Sequence, residues 1–110
     1  MKYQIIGKNI SVTEAISATI EKKLARMEKY FVITEDVHCR VVVSVQNESQ
    51  KVEITIFLPQ MKLRAEVTDK DLYAAIDLAI DKLQGQMRKL KTRMDRSNGK
   101  ISLGRAIDFE

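Results

Sequence analysis

The sequence has few of the residues that build disulfides and metal sites. Its 110 residues include one cysteine, one histidine, one proline, four glycines and no tryptophan. The single cysteine, Cys39, excludes an internal disulfide and fits a reducing, cytoplasmic environment. One histidine and one cysteine are too few for a structural zinc site, so we expect no metal and no cofactor.

Long apolar runs are also absent. The longest are only a few residues, such as residues 41–43 (VVV), whereas a membrane-spanning helix needs about 20 apolar residues. With 45% apolar and 31% charged residues, the composition is ordinary for a soluble globular protein. A chain of this length has room for one modest core, and we therefore expect one domain and no membrane partner.

Alternation of apolar and polar residues predicts four strands. They cover residues 2–8, 37–46, 51–58 and 61–67, and the last would bury Met61 with its alternate neighbours. A polar turn at residues 47–49 and Pro59-Gln60 separate the last three strands, which predicts an antiparallel meander with one apolar face.

Spacings of three and four residues predict two helices. The first would begin at a capping box formed by Ser11 and Glu14 and end near Tyr30 and Phe31, whose rings would close the core. Its buried residues would be Ile16, Ile20, Leu24 and Met27. The second would bury a stripe made of Leu72, Ile76, Ala79, Leu83, Met87, Leu90 and Met94.

The order of these elements predicts an α+β fold, β-α-β-β-β-α, with a four-stranded sheet and two roughly parallel helices packed on one face. We assign residues 1–96 to this domain. Residues 97–110 contain two glycines and show no clear periodicity, so we expect a flexible tail or the start of a linker.

Positive charge is concentrated near the end of the chain. Residues 82–100 contain seven basic residues against Asp95, a net charge of +6, so the rest of the +4 chain sums to −2. Such asymmetry indicates an anionic partner, most simply a phosphate backbone.

Both predicted helices place cations on the same-handed flank of the apolar stripe. At 100° per residue, these are Lys22, Arg26 and Lys29 on the first helix, and Lys82, Gln86, Lys89 and Arg93 on the second. Charged flanks are usually only solvated, and late cations also complement the helix dipole. The dipole does not explain Arg26 and Lys82, which lie further from the helix ends. We therefore expect one cationic tract shared by parallel helices.

Four segments of the chain carry a resemblance to a known family. Residues 71–77 (DLYAAID) and 80–83 (IDKL), with 7–15 (GKNISVTEA) and 27–31 (MEKYF), are similar to the ribosome hibernation promoting factors and ribosome-associated inhibitor A. The similarity extends over residues 1 to about 96. It implies a domain like those that bind double-stranded RNA, taken from the N-terminal part of what we expect to be a long form.

The resemblance also implies a function that requires no catalysis. Family members bind the small ribosomal subunit and its ribosomal RNA near the decoding centre, compete with mRNA and tRNA, and inhibit translation in slow growth. The resemblance also implies that ribosome dimerisation belongs to a C-terminal domain of the long form, which we expect to be missing here. The matching RNA-binding residues are Lys22, Arg26, Lys29, Lys82, Gln86, Lys89, Lys91 and Arg93. Further candidates are Arg64, Lys62 and Arg88. Gly85 departs from the basic residue that relatives commonly carry at that position.

Three alternatives remain at this stage. The nearest is a generic structured-RNA-binding domain that acts off the ribosome, although such domains place lysines at the start of the last helix, where this chain is acidic. An enzyme could use only His38 and Cys39 as a base and nucleophile, but adjacent strand residues point to opposite faces. A membrane-surface helix would favour tryptophan or phenylalanine on its apolar face, and this one carries neither.

Overall fold

The structure, a computed structural model, describes residues 1–31, 33–59 and 61–98, with side chains as far as Thr92. Its elements are β1 (Lys2–Lys8), α1 (Glu14–Phe31), β2 (His38–Gln46), β3 (Ser49–Phe57), β4 (Lys62–Asp69) and α2 (Leu72–Asn98). The predicted order is therefore confirmed. Helix α2 includes residues 97 and 98, and the remainder of the predicted tail lies outside the described residues.

The four strands form one sheet in the order β1-β2-β3-β4. Strand β1 runs parallel to β2 because α1 makes the crossover between them, and the other neighbours are antiparallel. The β2–β3 turn is shorter than predicted, since Ser49 already pairs with Gln46. Asn47 and Glu48 have φ angles of 45° and 65°, as a two-residue type I′ turn requires.

The core lies between the sheet and the two helices. Alternate strand residues such as Val41, Ile54 and Ala65 face the helices, and the predicted stripes of α1 and α2 pack against them. Two burial predictions are wrong at the margins of the core. Met61 is 40% exposed because it precedes β4, and Tyr30 is 68% exposed while its neighbour Phe31 is buried. Leu72 is only partly buried, and the side chain of Met94 lies outside the described residues.

The predicted capping box at Ser11 is wrong. Helix α1 begins at Glu14, and its N-cap is Thr13, whose Oγ1 accepts a hydrogen bond of 3.2 Å from the N–H of Ile16. Ser11 lies too far before the helix to reach that amide. Asp71 performs the same task for α2, where its Oδ1 accepts a bond of 2.9 Å from the N–H of Tyr73.

Side-chain contacts locate the helices on the sheet. Helix α1 is tied to β1, since the Glu28 carboxylate accepts a 2.6 Å hydrogen bond from the Tyr3 hydroxyl and pairs with the Met1 amino group. Helix α2 packs on β3 and β4. An ion pair between Lys23 and Asp77 joins the two helices. Within the described ranges, neither helix is long and apolar enough to cross a membrane.

Candidate nucleic-acid interface

The α1 cations point away from the core. Lys22, Arg26 and Lys29 are all exposed and lie on the side of the helix opposite or oblique to its buried stripe. None of the three forms an ion pair with another described residue. Their charges are therefore available to an external anion.

Tyr30 extends this cationic surface, although its ring was predicted to close the core. Lys22, Arg26 and Tyr30 follow each other at intervals of four residues, so they form one row along α1. The Tyr30 ring is 68% exposed and meets the Phe31 ring edge-on, with centroids 4.8 Å apart. The four-residue spacing from Arg26 was the signal that could have identified it.

On α2, two predicted contacts turn toward the edge of the sheet. The Lys82 Nζ donates to the carbonyl oxygen of Glu66 at 3.3 Å, and the Gln86 Nε2 donates to that of Arg64 at 2.8 Å. Lys82 is exposed and keeps two further N–H donors. Gln86 is half-buried and uses one amide hydrogen within the fold, so its capacity for an external contact is smaller than predicted.

The other α2 candidates divide between two sides of the helix. Lys89 follows Lys82 by seven residues and shares its side, whereas Arg88 and Lys91 lie on the side of Asp77, which faces α1. All three cations are exposed. Arg93 belongs to the α2 backbone, but its side chain lies outside the described residues.

The predicted tract is interrupted at α2: its Lys82 flank does not adjoin the α1 cations, whereas Arg88 and Lys91 lie on the side toward α1. The Lys82 side of α2 faces β4, away from α1, and the outer surface of α2 separates it from Lys22 and Arg26. Gly85 lies on that outer surface, where an added Cβ would have no neighbour within 4 Å. A basic side chain at this position would extend from the gap between Lys82, Arg88 and Lys89.

The two strand candidates lie on the other face of the sheet. Arg64 pairs with Glu53 at 2.9 Å and with Glu66 at 3.2 Å, and the hydrogen bond from Arg64 lowers the pKa of the Glu53 carboxyl. Lys62 Nζ lies 5.5 Å from the centroid of the Phe57 ring. Arg64 is thus matched by local carboxylates, while Lys62 is not.

His38 and Cys39 do not come together. Cys39 is buried on the helix side of β2, and this burial raises the pKa of its thiol to about 12, which keeps it in the unreactive neutral form. His38 is exposed on the opposite face. No group of three or more histidine, cysteine, aspartate or glutamate residues in the described part of the chain could hold a metal ion.

Comparison with known proteins identifies the family. A model of the family described as sigma 54 modulation protein / S30EA ribosomal protein matches residues 3–95. The chain is 42% identical over 97 residues to the ribosome hibernation promotion factor of Bacillus subtilis, and 40% identical over 99 residues to that of Staphylococcus aureus. These matches cover 87% and 89% of this chain but 51% and 52% of the relatives. The chain therefore spans about half their length.

Solved structures share the fold. The crystal structure of the Protein Y N-terminal domain from Thermus thermophilus has a TM-score of 0.72 at 38% identity, and covers 82% of this chain and 99% of that one. A ribosomal subunit interface protein from Coxiella burnetii has a TM-score of 0.73 at 24% identity, over 84% of this chain and 99% of that one. The resemblance found in the sequence is thereby confirmed: the chain belongs to the sigma 54 modulation protein / S30EA ribosomal protein family.

Proposed function

We propose that this chain is the ribosome-binding domain of a ribosome hibernation factor and acts in the cytoplasm without catalysis. It binds the small ribosomal subunit near the decoding centre, occupies space needed by mRNA and tRNA, and so inhibits translation in slow growth. The names of its relatives support the association with ribosomes. Ribosome dimerisation would belong to a C-terminal domain of the full-length protein.

The observation that carries this proposal is the set of exposed cations on both helices, which we call the helix-face cations. They are Lys22, Arg26 and Lys29 on α1, and Lys82, Arg88, Lys89 and Lys91 on α2. We add Arg93 to this set because the helical spacing of the sequence places it on the flank of Lys82 and Lys89. Lysine and arginine contact phosphate oxygens without reading base sequence, which suits a target of one fixed shape. Tyr30, in the same row as Arg26, offers a ring on which a base can stack.

The acidic start of α2 disfavours binding to free duplex RNA. Asp69 and Asp71 lie there, and both carboxylates accept hydrogen bonds from backbone N–H groups of the β4–α2 connection and first helical turn. The positive end of this helix is therefore already capped by negative side chains, which would repel a phosphate backbone.

Sedimentation with purified ribosomes tests the proposal. This chain should co-sediment at low salt, weaken roughly a thousandfold between 50 and 200 mM salt if six phosphates are contacted, and be displaced by saturating mRNA and tRNA. The variant Lys22→Glu/Arg26→Glu/Lys89→Glu should fail to bind while unfolding at the same temperature as the parent chain, because none of the three contributes to the core.

Lys70→Glu is the matched control, since Lys70 is exposed in the β4–α2 connection and outside the helix-face cations. It should bind nearly as well as the parent chain. Unchanged binding by the triple variant would contradict the assigned interface. Equal affinity for free duplex RNA and for ribosomes would instead favour an RNA-binding domain that acts off the ribosome.

A further inference from the structure

The face of the sheet that the helices leave open consists mostly of polar residues. Strand register aligns Lys2, His38, Phe57 and Lys62 in one row, and the next row contains Gln4, Arg40, Thr55 and Arg64. The two following rows are Ile6, Val42, Glu53 and Glu66, and then Lys8, Ser44, Lys51 and Thr68. Neighbouring strands are about 4.8 Å apart, so all four rows lie within one contiguous surface.

This surface is strongly basic. Its four rows contain six lysine and arginine side chains against two carboxylates, which leaves a net charge of +4 with His38 neutral. The charge of the face equals that of the entire chain, so all other residues together sum to zero. The positive charge of the chain is therefore concentrated on the open face, which the net charge alone does not show.

Both carboxylates of this face form ion pairs with cations of the same face. Lys51 lies 3.3 Å from Glu53 and 2.9 Å from Glu66, and Arg64 bridges the same two residues. The hydrogen bond that Lys51 donates to Glu66 raises the pKa of the Lys51 ammonium, and the bond that Arg64 donates to Glu53 raises the pKa of the Arg64 guanidinium. The two cations and the two carboxylates therefore compensate each other.

The remaining cations are uncompensated. Lys8, Arg40 and Lys62, which we call the sheet-face cations, are exposed and form no ion pair with another residue in the described part of the chain. Lys2 is left out of the set because it lines a depression together with two acidic residues, Glu35 and Asp36. Beside Lys62, the ring of Phe57 is 36% exposed, which places an aromatic surface among the cations.

We propose that the sheet-face cations contact a second segment of RNA, on the side of the domain opposite to the helix-face cations. Uncompensated lysine and arginine beside a partly exposed aromatic ring suit a phosphate backbone with unstacked bases, whereas the core of a protein interface is typically depleted of charge. This inference rests on the proposed function, because it concerns ribosomal RNA. The domain is then held between two RNA surfaces and does not rest on a single one.

The salt dependence of ribosome binding tests this inference. Removal of one phosphate contact makes the slope of log K against log salt concentration shallower by about 0.7–0.9. The variant Arg40→Gln/Lys62→Gln should therefore reduce the slope by about 1.5, so that its loss of affinity between 50 and 200 mM salt is roughly tenfold smaller than that of the parent chain. Both side chains are exposed, and the variant should fold normally.

Two further variants make the result decisive. Lys22→Gln/Arg26→Gln should reduce the slope through the helix face, and Lys70→Gln should leave it unchanged. An unaltered slope and affinity for Arg40→Gln/Lys62→Gln, with a reduced slope for Lys22→Gln/Arg26→Gln, would overturn the sheet-face inference and leave the proposed function intact. Weaker binding of the sheet variant with an unaltered slope would also overturn it, because the face would then contact protein. If neither pair of substitutions changed the affinity or the slope, the proposed interface itself would be refuted.

Discussion

At Gly85 the outer surface of α2 carries no side chain between Lys82 and Lys89. The structure shows no reason for glycine here, because an added Cβ would have no neighbour within 4 Å and the backbone is helical. Glycine in a helix interior costs about 1 kcal/mol relative to alanine, since its unfolded backbone has more freedom to lose. The position therefore weakens the middle of α2 without a packing benefit.

Gly85→Ala should stabilise the domain by about 1 kcal/mol in urea denaturation. Gly7→Ala is the opposing control, because a Cβ at that position would lie 2.3 Å from the carbonyl oxygen of Ile10 and force the backbone to shift. That variant should be destabilised. Equal or lower stability of Gly85→Ala would show that α2 needs its glycine for a reason other than packing.

Tyr30 lies outside the core, and we expect it to contribute to RNA recognition. Because the side chain is 68% exposed, Tyr30→Ala should leave the free energy of unfolding nearly unchanged. Stacking on a base contributes about 1–3 kcal/mol, so ribosome affinity should fall by roughly fivefold or more. Tyr30→Phe keeps the ring and should bind almost as the parent chain does. An affinity decrease that is equal in both variants would assign the role to the hydroxyl.

At the scale of the elements, periodicity was sufficient to predict all four strands and both helices. All of them except β1, whose core-facing side chains are only half-buried, bury one face, and the buried alternation of β2 and the stripe of α1 recur in the structure. The ends were less predictable, since they depend on local hydrogen bonds. Ser11 and Thr13 are both good caps by residue type, and only the geometry of the chain decides that Thr13 reaches the Ile16 amide.

The N-cap assignment of α1 can be tested by a pair of truncations. Thr13→Ala should lower the free energy of unfolding by about 1 kcal/mol, because the Ile16 N–H loses its acceptor at the helix start. Ser11→Ala should change it by a few tenths at most, since Ser11 lies outside the helix. If chemical denaturation showed a larger loss of unfolding free energy for Ser11→Ala than for Thr13→Ala, the capping box at Ser11 would be correct.

The contact between α2 and β4 has a structural role that the sequence did not reveal. Gln86→Glu keeps the size of the side chain but replaces the donor to the Arg64 carbonyl with a carboxylate, and should cost about 0.5–1.5 kcal/mol. Gln84→Glu makes the same change in a half-buried neighbour without that bond, and should cost less. Equal costs in urea denaturation would mean that the bond contributes nothing measurable.

For the whole molecule, the distribution of charge was only partly predictable. The sequence showed which residues are basic and on which helix flank they lie, and the structure has the same placement for those whose side chains it describes. It could not show that the Lys82 flank faces β4, because this depends on which side of α1 the second helix packs. On the open face, the sequence singled out Lys62 and Arg64, but it could not show that Lys8 shares their surface, because this depends on the pairing of β1 with β2.

If the helix face and the sheet face contact separate RNA segments, their contributions should add. Lys22→Gln/Arg26→Gln and Arg40→Gln/Lys62→Gln lie on opposite sides of the core, so their binding costs should sum within about 0.5 kcal/mol in the combined variant. Equilibrium binding to ribosomes at one fixed salt concentration measures this. If the combined variant bound ribosomes as tightly as the less tightly binding of the two pair variants, both sets of cations would serve one contact.

The side chains of Lys82 and Gln86 have one more consequence. Strand β4 ends the sheet, and an exposed edge of this kind is a template onto which a strand of another molecule can add. The two α2 side chains occupy the carbonyl oxygens of Glu66 and Arg64, so an incoming strand must displace them before it can pair. The helix therefore hinders edge-to-edge pairing of β4 with another molecule, the first step of this kind of aggregation.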